Sequence, residues 1–223
     1  MENKQCKIIP FPGCKFKMPE REVIQRAADP VKDKAVLEQI KAVILDNKRY
    51  ARRNWLIFVV GINIGRRCGD LLKLRIGDVF DGQEVKSEVV HREEKTQKVI
   101  SFWLSDPVKE AIREYLDSRS GFSLNDYLFP SQKGGHLLTA SYWLILHEIC
   151  KKLDLGFRLS THSMRKTWAY HLYQTYKDVR FEGGYDIVDS LQLMLGHSSR
   201  LITLHYLGID HQVMQSLYAT NVL

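Results

Sequence analysis

The sequence predicts a mostly α-helical α+β fold with one small antiparallel β-sheet. Apolar residues recur at helical spacing through most of the chain, whereas residues 85–104 alone switch to alternation around a charged turn. With 223 residues and 44% hydrophobic content, there is material for one substantial domain, or one domain with a short appendage.

Residues 1–31 carry Pro10, Gly13, Pro19 and Pro30 among basic side chains, which resists regular structure, so they are read as an arm or linker. From Asp33 the pattern turns helical, with Val36, Leu37, Ile40, Val43, Ile44 and Leu45 on repeating positions. A second helix is expected from Arg49 to Ile64. Its basic start (Arg49, Arg52, Arg53) suits phosphate and its apolar end suits a core. Gly65 stops it, and the next helix opens with Arg67-Cys68-Gly69-Asp70. Arg67 and Asp70 are three apart, so the carboxylate can brace the guanidinium.

Val85 to His91 and Val99 to Leu104 then form a hairpin whose charged tip holds Lys95. Asp106-Pro107 begins an amphipathic helix to Arg119. Residues 127–131 are extended, and Thr139 is expected to cap a helix ending near Lys152. Within that helix His147-Glu148 starts like a zinc-protease motif, but Lys151 stands where the second histidine belongs, so the motif fails.

Thr161 is expected to cap the following helix, which puts His162 and Arg165 on one side near a helix N-terminus, a natural anion site. Gly183-Gly184 break the chain. A helix from Tyr185 to Leu195 follows, with Ile187, Val188, Leu191 and Met194 turned inward. Gly196 ends it and leaves His197 in the corner. Ser198 or Ser199 caps the next helix, on which Tyr206 falls two turns along. A last amphipathic segment carries Val213, Met214, Leu217 and Tyr218.

Composition narrows the class of partner. A net charge of +7 and a pI near 9.2 favour an anionic partner such as nucleic acid. Four cysteines without a CxxC pair read as reduced thiols, and no apolar run is long enough for a signal peptide or a membrane span. The expected location is cytoplasmic and DNA-associated.

In chain order the chemistry-bearing residues are Arg67, Lys95, His162-x-x-Arg165, His197 and Tyr206, with Asp70 in support. Together with Asp78-Val79, Tyr127-Leu128-Phe129-Pro130-Ser131 and Leu195-Gly196-His197-Ser198 nine residues before the tyrosine, they make the chain resemble the catalytic domain of the tyrosine recombinases, or phage integrases. The resemblance covers residues 32–223 and lacks an evident core-binding domain in front.

It implies that Tyr206 attacks a DNA phosphodiester, leaving a 3′-phosphotyrosyl link and a free 5′-hydroxyl. Arg67 and Arg165 answer the phosphoryl charge with permanently charged forked donors, and Lys95 protonates the departing 5′-oxygen. His162 exchanges a proton with Tyr206, and His197 donates to the phosphate. Alignment on Gly65 and Asp70-Leu71 selects Arg67 and turns Arg66 elsewhere, toward the DNA backbone. The implied partner is double-stranded DNA bound by a homo-multimer, with room for accessory DNA-binding proteins and with no membrane, metal or cofactor. Two other readings share these residues: a non-catalytic DNA-binding regulator and a type IB topoisomerase-like relaxase.

Overall fold

In the computed structural model, which describes residues 28–46, 50–92 and 97–209, helix α1 (Lys34–Leu45) starts where the Asp33 carboxylate accepts from the Ala35 N–H at 2.7 Å. Leu37, Ile40 and Ile44 form its buried stripe. Helix α2 (Ala51–Ile64) is interior along most of its length, with Leu56, Ile57, Phe58, Val59 and Val60 all buried. Its basic start does not reach outward as a unit. Arg53 is buried, donates to the Pro130 carbonyl at 2.6 Å and to the Asn54 side chain, and packs over the Tyr50 ring. Desolvation holds its pKa below the ordinary value. A guanidinium at an interior position found local acceptors, which a charge pattern does not reveal.

Short helices α3 (Cys68–Leu72) and α4 (Ile76–Val79) lead to strands β1 (Glu88–Arg92) and β2 (Val99–Trp103), paired antiparallel with Val89 opposite Phe102 and Arg92 opposite Val99. Val89 and Phe102 face the core, while Val90, Val99 and Trp103 face solvent. Helix α5 (Asp106–Asp117) buries Val108, Ile112, Tyr115 and Leu116, the stripe its amphipathic spacing predicts, and Ala111 besides.

Helices α6 (Thr139–Lys152) and α7 (Thr161–Tyr176) begin one residue earlier than expected. Leu138 precedes α6 without a side-chain cap, and Thr139 is its first residue. Before α7 the cap is Ser160, in a reciprocal box in which the Ser163 hydroxyl accepts from the Ser160 N–H at 3.0 Å. Neighbouring Ser and Thr compete for such a position, and only backbone geometry decides between them.

Helix α8 (Ile187–Leu195) starts at Asp186, whose carboxylate accepts from Val188 and Asp189 N–H. Met194, expected inward, is exposed, and Ile187, Val188, Leu191 and Leu195 fill the inner face instead. Helix α9 (Arg200–Leu207) starts at Ser199, whose hydroxyl accepts from Ile202 N–H at 3.3 Å, and ends at Gly208 in the left-handed region. Lys95, the N-terminal arm through residue 27 and the amphipathic segment around Val213 lie outside the described residues.

Two apolar clusters result. The larger joins α1–α6, the hairpin and the first turn of α7 through Met164. The smaller joins Trp168 and Ala169 to Ile187, Val188, Leu191 and Leu195, with Leu204, Tyr206 and Leu207 packed against it. Helix α7 belongs to both. It crosses α2 at two glycines: a Cβ on Gly61 would lie 2.6 Å from Met164 Sδ, and one on Gly65 2.1 Å from the Trp168 ring.

Gly65 also sits at φ +68°, so Gly65→Ala faces both a strained backbone and a collision with an indole. Urea unfolding followed by tryptophan fluorescence is expected to show a loss of about 2 kcal/mol or more. An unchanged midpoint contradicts this packing.

Candidate active site

The turn after α2 and the first turn of α7 face each other because Gly61 and Gly65 let the two helices approach closely. Between them lies a cleft of about 410 Å³ lined by Arg67, Cys68, Gly69, Asp70, Thr139, Thr161, His162 and Arg165. Four of the side chains singled out in the sequence therefore share one opening. Asp70 is buried beneath it and stands 4.0 Å from Arg67 Nη1, at the outer limit of an ion pair.

Arg165 is buried, and its Nη2 donates to the Leu195 carbonyl at 2.7 Å. This bond ties the guanidinium to the last turn of α8, whose carbonyls lack partners in their own helix. Arg66 takes a similar path: its Nη2 donates to the Met194 carbonyl at 3.0 Å. The end of α8 thus offers two successive carbonyls to two arginines far apart in sequence.

His197 and Tyr206 do not line the cleft. Their rings meet edge to face, with centroids 5.2 Å apart and planes at 67°. Both lie within the electrostatic reach of Arg165, which connects them to the cleft. The Tyr206 hydroxyl is screened from solvent and makes no geometrically complete hydrogen bond with a described residue. Burial pushes its pKa up to about 12, against the opposing pull of Arg165. The other side of Tyr206 borders a cleft of about 500 Å³ that includes Asp29, Lys32, Lys166 and His205.

His162 and His197 are both held below the ordinary imidazole value, first by desolvation and then by the positive charge of Arg165 and Arg67, with Lys166 adding to the effect at His162. Arg67 and Arg165 thus act on both histidines. His197 Nδ1 lies 3.1 Å from the Thr203 hydroxyl, which itself points at the Ser199 carbonyl at 3.5 Å. With that hydroxyl donating to the carbonyl, it accepts from Nδ1–H, the tautomer that leaves a lone pair on Nε2.

Two contributors went unnoticed in the sequence. Lys166 places its ammonium 5.2 Å from the Tyr206 ring centroid, and Thr203, fully buried, orients His197. Position three before the tyrosine is the one signal that could have marked Thr203, since residues at that spacing share a helix face. Among the described residues no cluster of His, Cys, Asp and Glu could hold a metal, and no helix is long and apolar enough to cross a membrane.

Fold and site together define a helical domain in which two arginines and one histidine line a cleft, with a second histidine packed against a sheltered tyrosine nearby. Residues 31–212 match the model of the phage integrase family, and the chain belongs to that family. It is 30% identical over 190 residues to the probable integrase/recombinase YoeC of Bacillus subtilis (strain 168), covering 85% of this chain and 94% of that protein. It is 29% identical over 157 residues to the tyrosine recombinase XerD of Corynebacterium glutamicum, where the match covers 69% of this chain but 47% of XerD. The chain thus spans nearly all of one relative and about half of the other. Among solved structures, the XerA recombinase superposes with a TM-score of 0.63 at 25% identity, covering 88% of this chain and 67% of that one. XerH bound to its difH substrate superposes equally well, at 22% identity, which speaks to fold alone.

The depressed histidines give a pH test. Unfolding restores their ordinary affinity for protons, so the unfolded chain binds more protons below the ordinary imidazole value of about 6.5. Their contribution is intact above that value and is lost as the pH falls toward their lower folded values. The urea midpoint is expected to drop between about pH 7.5 and pH 5.5, and to drop less in His162→Gln and His197→Gln. Equal slopes in all three proteins would refute it.

Proposed function

We propose that this chain is a site-specific DNA recombinase that cleaves and rejoins strands through a 3′-phosphotyrosyl intermediate. The single observation that carries the reading is that Arg67 and Arg165, far apart in sequence, line one cleft with His162, while Arg165 also reaches Tyr206. A transferring phosphoryl group spreads negative charge over its non-bridging oxygens, and a pair of guanidiniums in a partly desolvated cleft is suited to stabilising it. Residues 32–223 form the catalytic unit, and Val31, buried in the main core with its N–H donating to the Thr167 hydroxyl at 2.8 Å, packs with it.

In the forward step the Tyr206 oxygen bonds to phosphorus, and the 5′-oxygen leaves and takes up a proton. Lys95 supplies that proton, as the family resemblance implies. Rejoining reverses the step with the 5′-hydroxyl of another strand as nucleophile, so the link itself stores the bond energy.

A phenol with a pKa near 12 needs a base. His197 stands against the Tyr206 ring, while His162 lines the cleft with the arginines. These placements favour the two imidazoles with the roles implied by the resemblance exchanged, His197 to take the phenolic proton through Nε2 and His162 to donate to the phosphate. The site acts on double-stranded DNA within a homo-multimer assembled on that DNA. The relatives' printed names, integrase/recombinase and tyrosine recombinase, support the reading.

Incubation with a pool of nicked duplexes randomised around the nick is expected to yield a covalent protein–DNA adduct resistant to denaturation. Tyr206→Phe should yield none. Arg67→Gln and Arg165→Gln should each slow adduct formation about 100-fold or more, the scale on which lost transition-state donors act. An adduct from Tyr206→Phe, or none from the unaltered chain, rejects the reading.

A further inference from the structure

Helix α9 carries Tyr206 yet is thinly anchored. Of its eight residues only Thr203 is buried, and Leu201 and Ile202 are exposed. Leu204, Tyr206 and Leu207 merely lean on the smaller apolar cluster. Apolar burial on this scale gives weak directional control, because it tolerates sliding and tilting.

Directional contacts are concentrated at the start of the helix. Arg200 Nη1 donates to Asp186 Oδ1 at 2.8 Å, and Nη2 donates to Asp186 Oδ2 at 2.6 Å, a two-pronged pairing. Nη1 also donates to Asp189 Oδ1. The same Asp186 carboxylate caps α8 by accepting from Val188 and Asp189 N–H, and Arg180 approaches it at 3.3 Å. One carboxylate therefore fixes the first turn of α8 and the first turn of α9 together.

The pairing is more than a solvated surface contact. Asp186 is 14% exposed, and Arg200 holds its carboxyl well below the usual carboxylate range, while Asp186 and Asp189 raise Arg200 above its own. Exposed ion pairs contribute little when each partner is free to wander, but a bidentate pair on a nearly buried carboxylate has little freedom to lose.

We propose that Asp186, Asp189 and Arg200 form a clasp that sets the angle of α9, so that Arg200 is a positioning residue for attack by Tyr206. The inference rests on Tyr206 being the nucleophile. Tyr206 lies six residues beyond Arg200, about 9 Å along the helix axis, so a tilt of roughly 10° at the clasp moves the phenol by about 1.5 Å. A displacement of about 1 Å can cost on the order of 100-fold in rate. His197 moves with the same corner, because its Nδ1 is bonded to Thr203 on α9.

The test uses the full chain and a nicked duplex recovered from the adduct-forming pool. Arg200→Gln removes the charge from one side, and Asp186→Asn removes it from the other while keeping an oxygen to cap α8. Both are expected to slow adduct formation at saturating protein about tenfold or more, with the half-saturating DNA concentration nearly unchanged and Tm within about 3 °C of the unaltered chain. Arg200→Lys should fall between, because it keeps the charge and loses the fork. Hydrogen exchange in the DNA-free protein should quicken at residues 200–207 in Arg200→Gln and not in α1 or α2.

An unchanged adduct rate in Arg200→Gln overturns the positioning role alone, as does a slowing matched by a large fall in Tm or by faster exchange throughout the chain. Absence of adduct from the unaltered chain overturns the nucleophile reading and the positioning role with it.

Discussion

The close approach of α2 and α7 across Gly61 and Gly65 is the constraint on which the rest of the molecule depends. At both positions a single added carbon would overlap a side chain of α7, so the crossing exists only because those two residues have none. Gly61 inside α2 and Gly65 at its left-handed cap together make room for Met164 and Trp168. Arg165 sits between these two residues in sequence, and Arg67 follows Gly65 by two. The contact that builds the core therefore also brings the two guanidiniums to one cleft.

Gathering like charges has an electrostatic cost, and the structure distributes it. Arg165 is anchored to a helix-end carbonyl, Arg67 stands over buried Asp70, and desolvation with the neighbouring guanidiniums holds both histidines below the ordinary imidazole value. The assembled cleft holds positive charge in excess of its carboxylate support. Such a site is complementary to a polyanion, in keeping with the chain's overall charge of +7. Tyr206 is the opposite case, a neutral phenol kept neutral by burial beside a cation.

Helical periodicity and glycine stops were legible because they are local. The stripe of α5, the stop at Gly65 and the corner at Gly196 all follow from spacing and backbone freedom, and the structure keeps them. Expectations failed where a side chain had a choice of partners at a distance. Arg53 turned inward to Pro130, Arg66 turned to Met194, and Met194 turned outward, each settled by elements remote in sequence. The caps of α6 and α7 shifted by one residue for a different reason. At α7 the adjacent Ser160 and Thr161 hydroxyls both qualify and backbone dihedrals choose Ser160, while α6 starts after Leu138 with no side-chain cap.

By itself the sequence determined the class of fold, the basic character and the placing of Arg67, Asp70, His162 and Arg165 as candidates that the structure brings to one cleft, because periodicity, charge and residue chemistry are properties of the chain. Tertiary structure alone decided that the His197 ring meets Tyr206 edge to face, that Lys166 faces its ring, and that Arg200 ties α9 to α8. Those are matters of angle and distance between helices. They depend on how two apolar clusters pack around α7, and no spacing along one strand of sequence encodes that.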